Sequence, residues 1–206
     1  MELTDNQKDA LSELINIAFS RTAASLSELT GHRVLVDVPE VAIFPINELA
    51  QALGKFLPAE VATVHQVFTG TVTGDALLLM NYDGAIRLTD LLTDEKSRSD
   101  RLNLSAREVL TEVGNILLNA CLGMFGNLLQ VHVSFSVPRL HLETLEALLR
   151  SLEIGREGLG YALVVHTAFR LRDSSISGYL VIALNVASLD RLIQEAEKWE
   201  RQQAKG

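Results

Sequence analysis

The sequence is poor in residues that crosslink a chain or hold a prosthetic group. Its single cysteine, Cys121, excludes an intramolecular disulfide and a multi-cysteine zinc site, and a lone thiol is typical of a reducing cytoplasm. The five histidines lack the spacing of metal ligands, so no metal site is predicted. Neither G-x-x-x-x-G-K-[ST] nor G-x-S-x-G occurs, so the sequence shows no motif for nucleotide hydrolysis or for serine-hydrolase chemistry.

The chain also lacks a surplus of basic residues and a convincing membrane span. Its net charge of −8 argues against binding to nucleic-acid phosphates or to an anionic membrane. The first residues carry acids where an export signal needs a basic start. The longest stretch free of charged residues, 113–138, contains asparagine, glutamine and histidine, which favours a buried helix followed by a strand. We therefore expect a cytoplasmic protein that binds neither nucleic acid nor membrane.

An internal repeat is the strongest feature that the sequence does contain. A shift of 99 residues superimposes the apolar pattern of a helix and of a strand, together with three polar or proline positions. The coincident pairs are Glu13 with Glu112, Asn16 with Asn115, and Pro39 with Pro138. The sequence therefore predicts one domain, 1–206, made of two repeats at about 1–98 and 99–206.

Each repeat is predicted to begin with a long helix. The segments Thr4–Gln7 and Ser105–Glu108 have the S/T-x-x-E/Q pattern of a capping box, so the helices are expected to start there and to end near Gly31 and Leu129. A β-branched segment and a proline follow in each repeat.

The rest of each repeat is predicted to hold a short helix, two strands and a closing helix. The predicted ranges are 46–53, 60–69, 71–81 and 84–93 in the first repeat, a linker at 94–103, and 142–152, 160–172, 176–185 and 187–203 in the second. Because the strands are grouped as hairpins, an α+β fold is favoured over a doubly wound one. We expect a pseudo-two-fold molecule with one continuous, largely antiparallel sheet and the two long helices side by side.

A glutamate and an asparagine recur three residues apart on both long helices. Such a pair projects from one helix face. When the pair occurs only once, that face is ordinarily the solvent-exposed side of an amphipathic helix. Here Glu13-x-x-Asn16 returns as Glu112-x-x-Asn115. Because solvated positions have no packing reason to keep both residues in both repeats, the recurrence favours a function.

This pattern resembles the CheC family, which with CheX and FliY comprises chemotaxis phosphatases acting on the phosphorylated response regulator CheY. The family motif is an Asp or Ser, three residues, Glu, two residues, Asn, and a proline about two dozen residues later. The chain matches this motif at Asp9, Glu13, Asn16 and Pro39, and again at Glu112, Asn115 and Pro138.

The resemblance implies a protein phosphatase that hydrolyses the aspartyl phosphate of a CheY-type response regulator. Asn16 and Asn115 would hold the attacking water in line, and Glu13 and Glu112 would pair with a lysine of the regulator. The protein would need no cofactor of its own, since Mg²⁺ is expected in the regulator. CheD is a further candidate partner.

Three departures from the family pattern affect the expected sites. The family's Gly-Asn-Ile is kept around Asn115 but not around Asn16. Glu108 stands where Asp or Ser is usual, and Phe19 and Leu118 stand three residues past the asparagine, where the family usually has a small residue. Together with Asp9, these residues are expected to face the partner, the two bulky ones either as contacts or as obstacles.

The two sites are also expected to differ in the residue that precedes the asparagine. Gly114 is expected to leave room for the partner's backbone, whereas Ile15 occupies the equivalent position in the first repeat. The second site is therefore predicted to carry most of the activity.

The alternative is a weak or inactive CheC-like binding module, an adaptor for a response regulator, CheD or the flagellar switch. The bulky residues and Ile15 favour this alternative at the first site, whereas retention of both Glu/Asn pairs favours the phosphatase. Cys121 lies in an apolar helix with no basic neighbour within a turn, which predicts a packing role.

Overall fold

The computed structural model describes residues 3–31, 33–58, 60–70, 73–93, 102–128, 132–155, 160–171 and 174–203. These residues form helices and strands in an order that recurs once along the chain. The elements are α1 (Asp5–Thr30), β1 (Val34–Val36), β2 (Glu40–Pro45), α2 (Ile46–Leu53), β3 (Glu60–Gly70), β4 (Gly74–Asn81), α3 (Tyr82–Thr93), α4 (Leu104–Leu128), β5 (Val133–Phe135), β6 (Arg139–Thr144), α5 (Leu145–Gly155), β7 (Tyr161–Leu171), β8 (Ser174–Leu184) and α6 (Val186–Gln203).

The predicted α+β class and the antiparallel sheet are confirmed. The strand order is β1-β7-β8-β4-β3-β5, with β2 also on β7 and β6 also on β3, and every pairing is antiparallel. The predicted hairpins β3–β4 and β7–β8 form. The short strands of each half bond to the long hairpin of the other half, so neither half completes its part of the sheet alone.

The recurring element order agrees with a duplicated unit without establishing one. The first four elements, α1 to α2, begin 99 residues before their counterparts, α4 to α5. Superposition of the halves by a two-fold rotation stays a prediction. Residues 94–101 of the predicted linker lie outside the described residues.

Two short strands and one helix start differ from the predictions. Strands β2 and β6 were not predicted, and Leu142–Thr144, predicted as the start of a helix, belong to β6. The sequence of β2, EVAIFP, shows no clear alternation. The sequence of β6, RLHLET, does alternate, but its last residues also begin the helical pattern that was predicted over 142–152.

The sheet is covered by helices on both faces. Helices α1, α3, α4 and α6 bury their apolar residues on one face in a large cluster, while α2 and α5 cover part of the other face. Alternate residues of β4 serve the two clusters, with Leu78 and Met80 toward the long helices and Leu77 and Leu79 toward the short ones. Helix α1 packs beside α4, as predicted, and also contacts α6.

The helix starts are fixed by capping side chains. The predicted capping box at Thr4 is confirmed: its Oγ1 accepts from Gln7 N at 3.3 Å, and Gln7 Oε1 accepts from Thr4 N at 3.0 Å. The predicted cap at Ser105 is wrong, because Asn103 Oδ1 accepts from Ala106 N at 2.7 Å and Ser105 lies inside α4. None of the helices formed by the described residues is long and apolar enough to cross a membrane.

Candidate functional site

The first Glu/Asn pair lies on the side of α1 that is turned away from the sheet. Glu13 is exposed and Asn16 is half-buried, whereas Leu14 and Ile15 between them are core residues. The start of α1 is tied to α6, since Gln7 Nε2 donates to Glu197 Oε1 at 2.8 Å. The rigid helix therefore presents both polar side chains outside the core.

A cleft of about 1320 Å³ opens beside this pair, between α1, the C-terminal half of α4 and the end of α6. Its walls combine acids, bases and apolar groups, among them Asp9, Glu13 and Asn16 from α1, Met124 from α4, and Lys198 and Trp199 from α6. The size and mixed chemistry of this cleft suit part of another protein's surface.

The second Glu/Asn pair occupies the equivalent turn of α4. Glu112 is exposed and Asn115 is half-buried. Asn119, one turn further on, donates from Nδ2 to Asn115 Oδ1 at 2.7 Å. Gln66 Nε2 of β3 in turn donates to Asn119 Oδ1 at 3.2 Å and to the backbone carbonyl of Ser136 at 2.9 Å. Asn115 is thus the end of a hydrogen-bonded chain that begins in the sheet.

The expectation that Phe19 and Leu118 face a partner is wrong, because both side chains lie in the core with 1% and 0% exposure. An α-helix turns once in 3.6 residues, so each step of three residues rotates the side chain by about 60° in one sense. On α1 this rotation leads from exposed Glu13 through half-buried Asn16 to buried Phe19. On α4 it leads likewise to Leu118.

The role predicted for Gly114 also needs correction. Gly114 is buried, and a Cβ atom there would lie 2.6 Å from Cβ of Val64 on β3. The missing side chain therefore lets α4 approach the sheet and leaves no room for a partner's backbone. Ile15 is likewise buried and obstructs nothing at the first site.

Asp9 and Glu108 are exposed, one turn before Glu13 and Glu112. Their predicted contact with a partner stays a prediction.

Two exposed valines at the sites were not singled out by the sequence. Val38 and Val137 are 76% and 83% exposed and precede Pro39 and Pro138. Val38 lines the cleft at the first site, and Val137 follows Ser136, whose carbonyl anchors the second. Their recurrence 99 residues apart was the available signal.

Other reactive side chains lie away from these sites or are inert. Cys121 is fully buried, as predicted, and burial raises the pKa of its thiol. His65 Nε2 lies 2.8 Å from Asp75 Oδ1 within the sheet. Among the residues that the structure describes, no group of three or more His, Cys, Asp or Glu side chains is arranged to hold a metal ion.

No known family profile matches the sequence, but individual proteins do. The CheY-P phosphatase CheC of Bacillus subtilis (strain 168) is 25% identical over 174 residues, which are 81% of this chain and 81% of CheC. The flagellar motor switch phosphatase FliY of the same organism is 23% identical over 143 residues. That match takes in 68% of this chain but only 37% of FliY, so the chain corresponds to a little over a third of that protein.

A solved structure agrees with these sequence matches. The crystal structure of Thermotoga maritima FliY superimposes with a TM-score of 0.76 at 18% identity, over 96% of this chain and 99% of that one. The fold is therefore that of FliY, and the sequence matches include CheC and FliY, two of the three proteins whose motif the repeat resembles. As the repeated motif predicted, this chain is a CheC- and FliY-like protein.

Proposed function

We propose that this protein is a phosphatase for the aspartyl phosphate of a CheY-type response regulator. The observation that carries the proposal is that both Glu/Asn pairs lie outside the core on rigid helices, although the residues between them are buried. The name CheY-P phosphatase, borne by the relative CheC, supports the same reaction class. Because fold alone does not imply function, the position of both pairs outside the core supports the proposal more strongly than the structural likeness does.

In the proposed reaction, water attacks the phosphorus atom and the bond from phosphorus to the aspartyl oxygen breaks, which releases phosphate and restores the carboxylate. Asn16 or Asn115 would enter the regulator's site and hold the water in line through its amide. A neutral amide takes no proton, so its contribution is position and hydrogen bonding to the developing charge.

The glutamates would act on docking and not on the water. Glu13 and Glu112 are exposed one turn before the asparagines, where a carboxylate can pair with a lysine of the regulator and fix how deeply the amide is inserted. The exposed Val38 and Val137 would supply apolar contact beside each pair. Loss of a glutamate would therefore raise KM more than it lowers kcat.

The Mg²⁺ that stabilises the phosphoryl group would come from the regulator, so this chain would contribute no cofactor. We propose that the reaction takes place in the cytoplasm, which would contain the receiver domain of the regulator and would keep Cys121 reduced. CheD is a further candidate partner.

The experiment that tests the proposal mixes the protein with phosphorylated CheY-type regulators and follows loss of the acyl phosphate with and without it. Faster loss at substoichiometric protein supports a phosphatase. Binding without faster loss supports an adaptor instead and contradicts the proposal.

A further inference from the structure

We infer that Asn119 is a positioning residue that orients the amide of Asn115, and that the first site has no counterpart. The inference rests on the proposed function for its kinetic consequence, but the hydrogen bonds that carry it stand independently. It concerns the hydrogen-bonded series that runs from the backbone carbonyl of Ser136 through the side chains of Gln66 and Asn119 to the side chain of Asn115.

The hydrogen-bonded series is anchored at Ser136, which is bonded to β3 of the sheet. Its backbone N–H donates to the carbonyl of Val67 at 2.9 Å, and its Oγ accepts from Val67 N at 2.9 Å. Gln66, beside Val67 on β3, is 2% exposed. Ser136, held by two hydrogen bonds to the backbone of Val67, and the buried side chain of Gln66 therefore have little freedom to move.

The direction of every hydrogen bond in the chain follows from this anchor. The Ser136 carbonyl can only accept, so the Gln66 amide must turn its Nε2 toward it, although this leaves Gln66 Oε1 buried without a partner. The second proton of Nε2 requires an acceptor, which is Asn119 Oδ1. Asn119 consequently presents Nδ2 to Asn115, whose Oδ1 accepts.

The consequence for Asn115 is a fixed amide orientation. With Oδ1 turned to Asn119, the Nδ2 group lies on the opposite side of the amide and has no acceptor among the described residues. Asn115 is thus prepared to donate a hydrogen bond to the attacking water or to a phosphoryl oxygen. A donor that needs no reorientation on docking costs less to bring into the transition state.

The first repeat does not have this device. Ser20 occupies the position four residues beyond Asn16 and is exposed. In the corresponding part of the sheet, Thr167 Oγ1 donates to the carbonyl of Asp37 at 2.9 Å, and among the described residues no hydrogen bond leads from Thr167 to α1. No side chain in the described part of the molecule hydrogen-bonds to Asn16, so no such bond fixes the orientation of its amide.

The test inactivates one site by replacing its asparagine, and then substitutes the residue four positions beyond the asparagine of the other site. In the Asn16→Ala background, Asn119→Leu keeps the side-chain volume but removes the donor, and we expect kcat for the aspartyl phosphate to fall roughly 10- to 100-fold with KM unchanged. The matched control is Ser20→Ala in the Asn115→Ala background, which should leave the residual rate unchanged. Three-bond couplings measured by NMR should give one side-chain rotamer for Asn115 in the parent protein and a mixture in Asn119→Leu.

The outcomes separate this inference from the proposed function. If the wild-type protein accelerates the reaction but Asn119→Leu keeps the kcat of its background, or if Asn16→Ala alone abolishes acceleration, the inference is wrong and the phosphatase stands. If the wild type gives no acceleration, the proposed phosphatase activity is wrong, and only the NMR couplings then test the orienting role of Asn119. An unchanged single rotamer in Asn119→Leu would then overturn the orienting role.

Discussion

At the scale of single residues, Gly114 shows how a glycine beside a functional residue can serve packing. We expect Gly114→Ala to lower the free energy of unfolding by about 1 to 3 kcal/mol, because its Cβ would overlap Val64 and force α4 away from β3. Denaturant unfolding measures the change. The matched control is Gly123→Ala on the same helix, where nothing lies within 4 Å of the added atom.

Gly123→Ala should stabilise the protein by about 0.5 to 1 kcal/mol through helix propensity alone. Equal effects of the two substitutions would mean that the close approach of α4 to the sheet is not needed for stability.

The second site is still expected to carry most of the activity, but Phe19 and Gly114 are not the reason. Phe19 lies in the core and Gly114 packs on the sheet, so neither distinguishes the sites sterically. Asn119 does distinguish them, and we still expect Asn115→Ala to cost more activity than Asn16→Ala. The order of the two measured dephosphorylation rates checks this, and the reverse order would contradict it.

At the scale of elements, the start of α4 offers a sharp comparison of two candidate caps. Asn103→Ala should destabilise the protein by about 1 kcal/mol, because it leaves the Ala106 N–H without its acceptor. Ser105→Ala should change stability by no more than a few tenths of that, since Ser105 lies within the helix. Thermal or denaturant unfolding measures both changes. A larger loss of stability in Ser105→Ala than in Asn103→Ala would support the capping box predicted from sequence instead.

The elements that could be predicted from sequence are those with local signals. The capping box at Thr4, the left-handed Gly31 at the end of α1 (φ 67°) and the two hairpins depend on residues close in the chain. Strands β2 and β6 depend on hydrogen bonds to β7 and β3 in the other half, which no local pattern reports. For the same reason the sequence indicated Asn115 but not Gln66, because only the fold brings β3 beside α4.

At the scale of the whole molecule, the exchange of short strands makes each half depend on the other. We propose that 1–206 is a single domain of two repeats, and we predict that monomeric 1–98 or 99–206 alone will not fold. Strands β1 and β2 would lose β7, and β5 and β6 would lose β3. Dispersion in NMR spectra of each fragment, and of the two mixed, tests this. A folded monomeric fragment would contradict it, and recovery on mixing would support it.

The central claim is that the two asparagines accelerate hydrolysis of a partner's aspartyl phosphate, and one comparison tests it most directly. The rate of acyl-phosphate loss is measured with the wild-type protein and with Asn16→Ala/Asn115→Ala, at concentrations where both proteins bind the activated regulator equally. The account predicts that the double variant binds but loses about 10²- to 10³-fold of the acceleration, as expected when a hydrogen-bond donor to the transition state is removed. A double variant that dephosphorylates the regulator at the wild-type rate would contradict it.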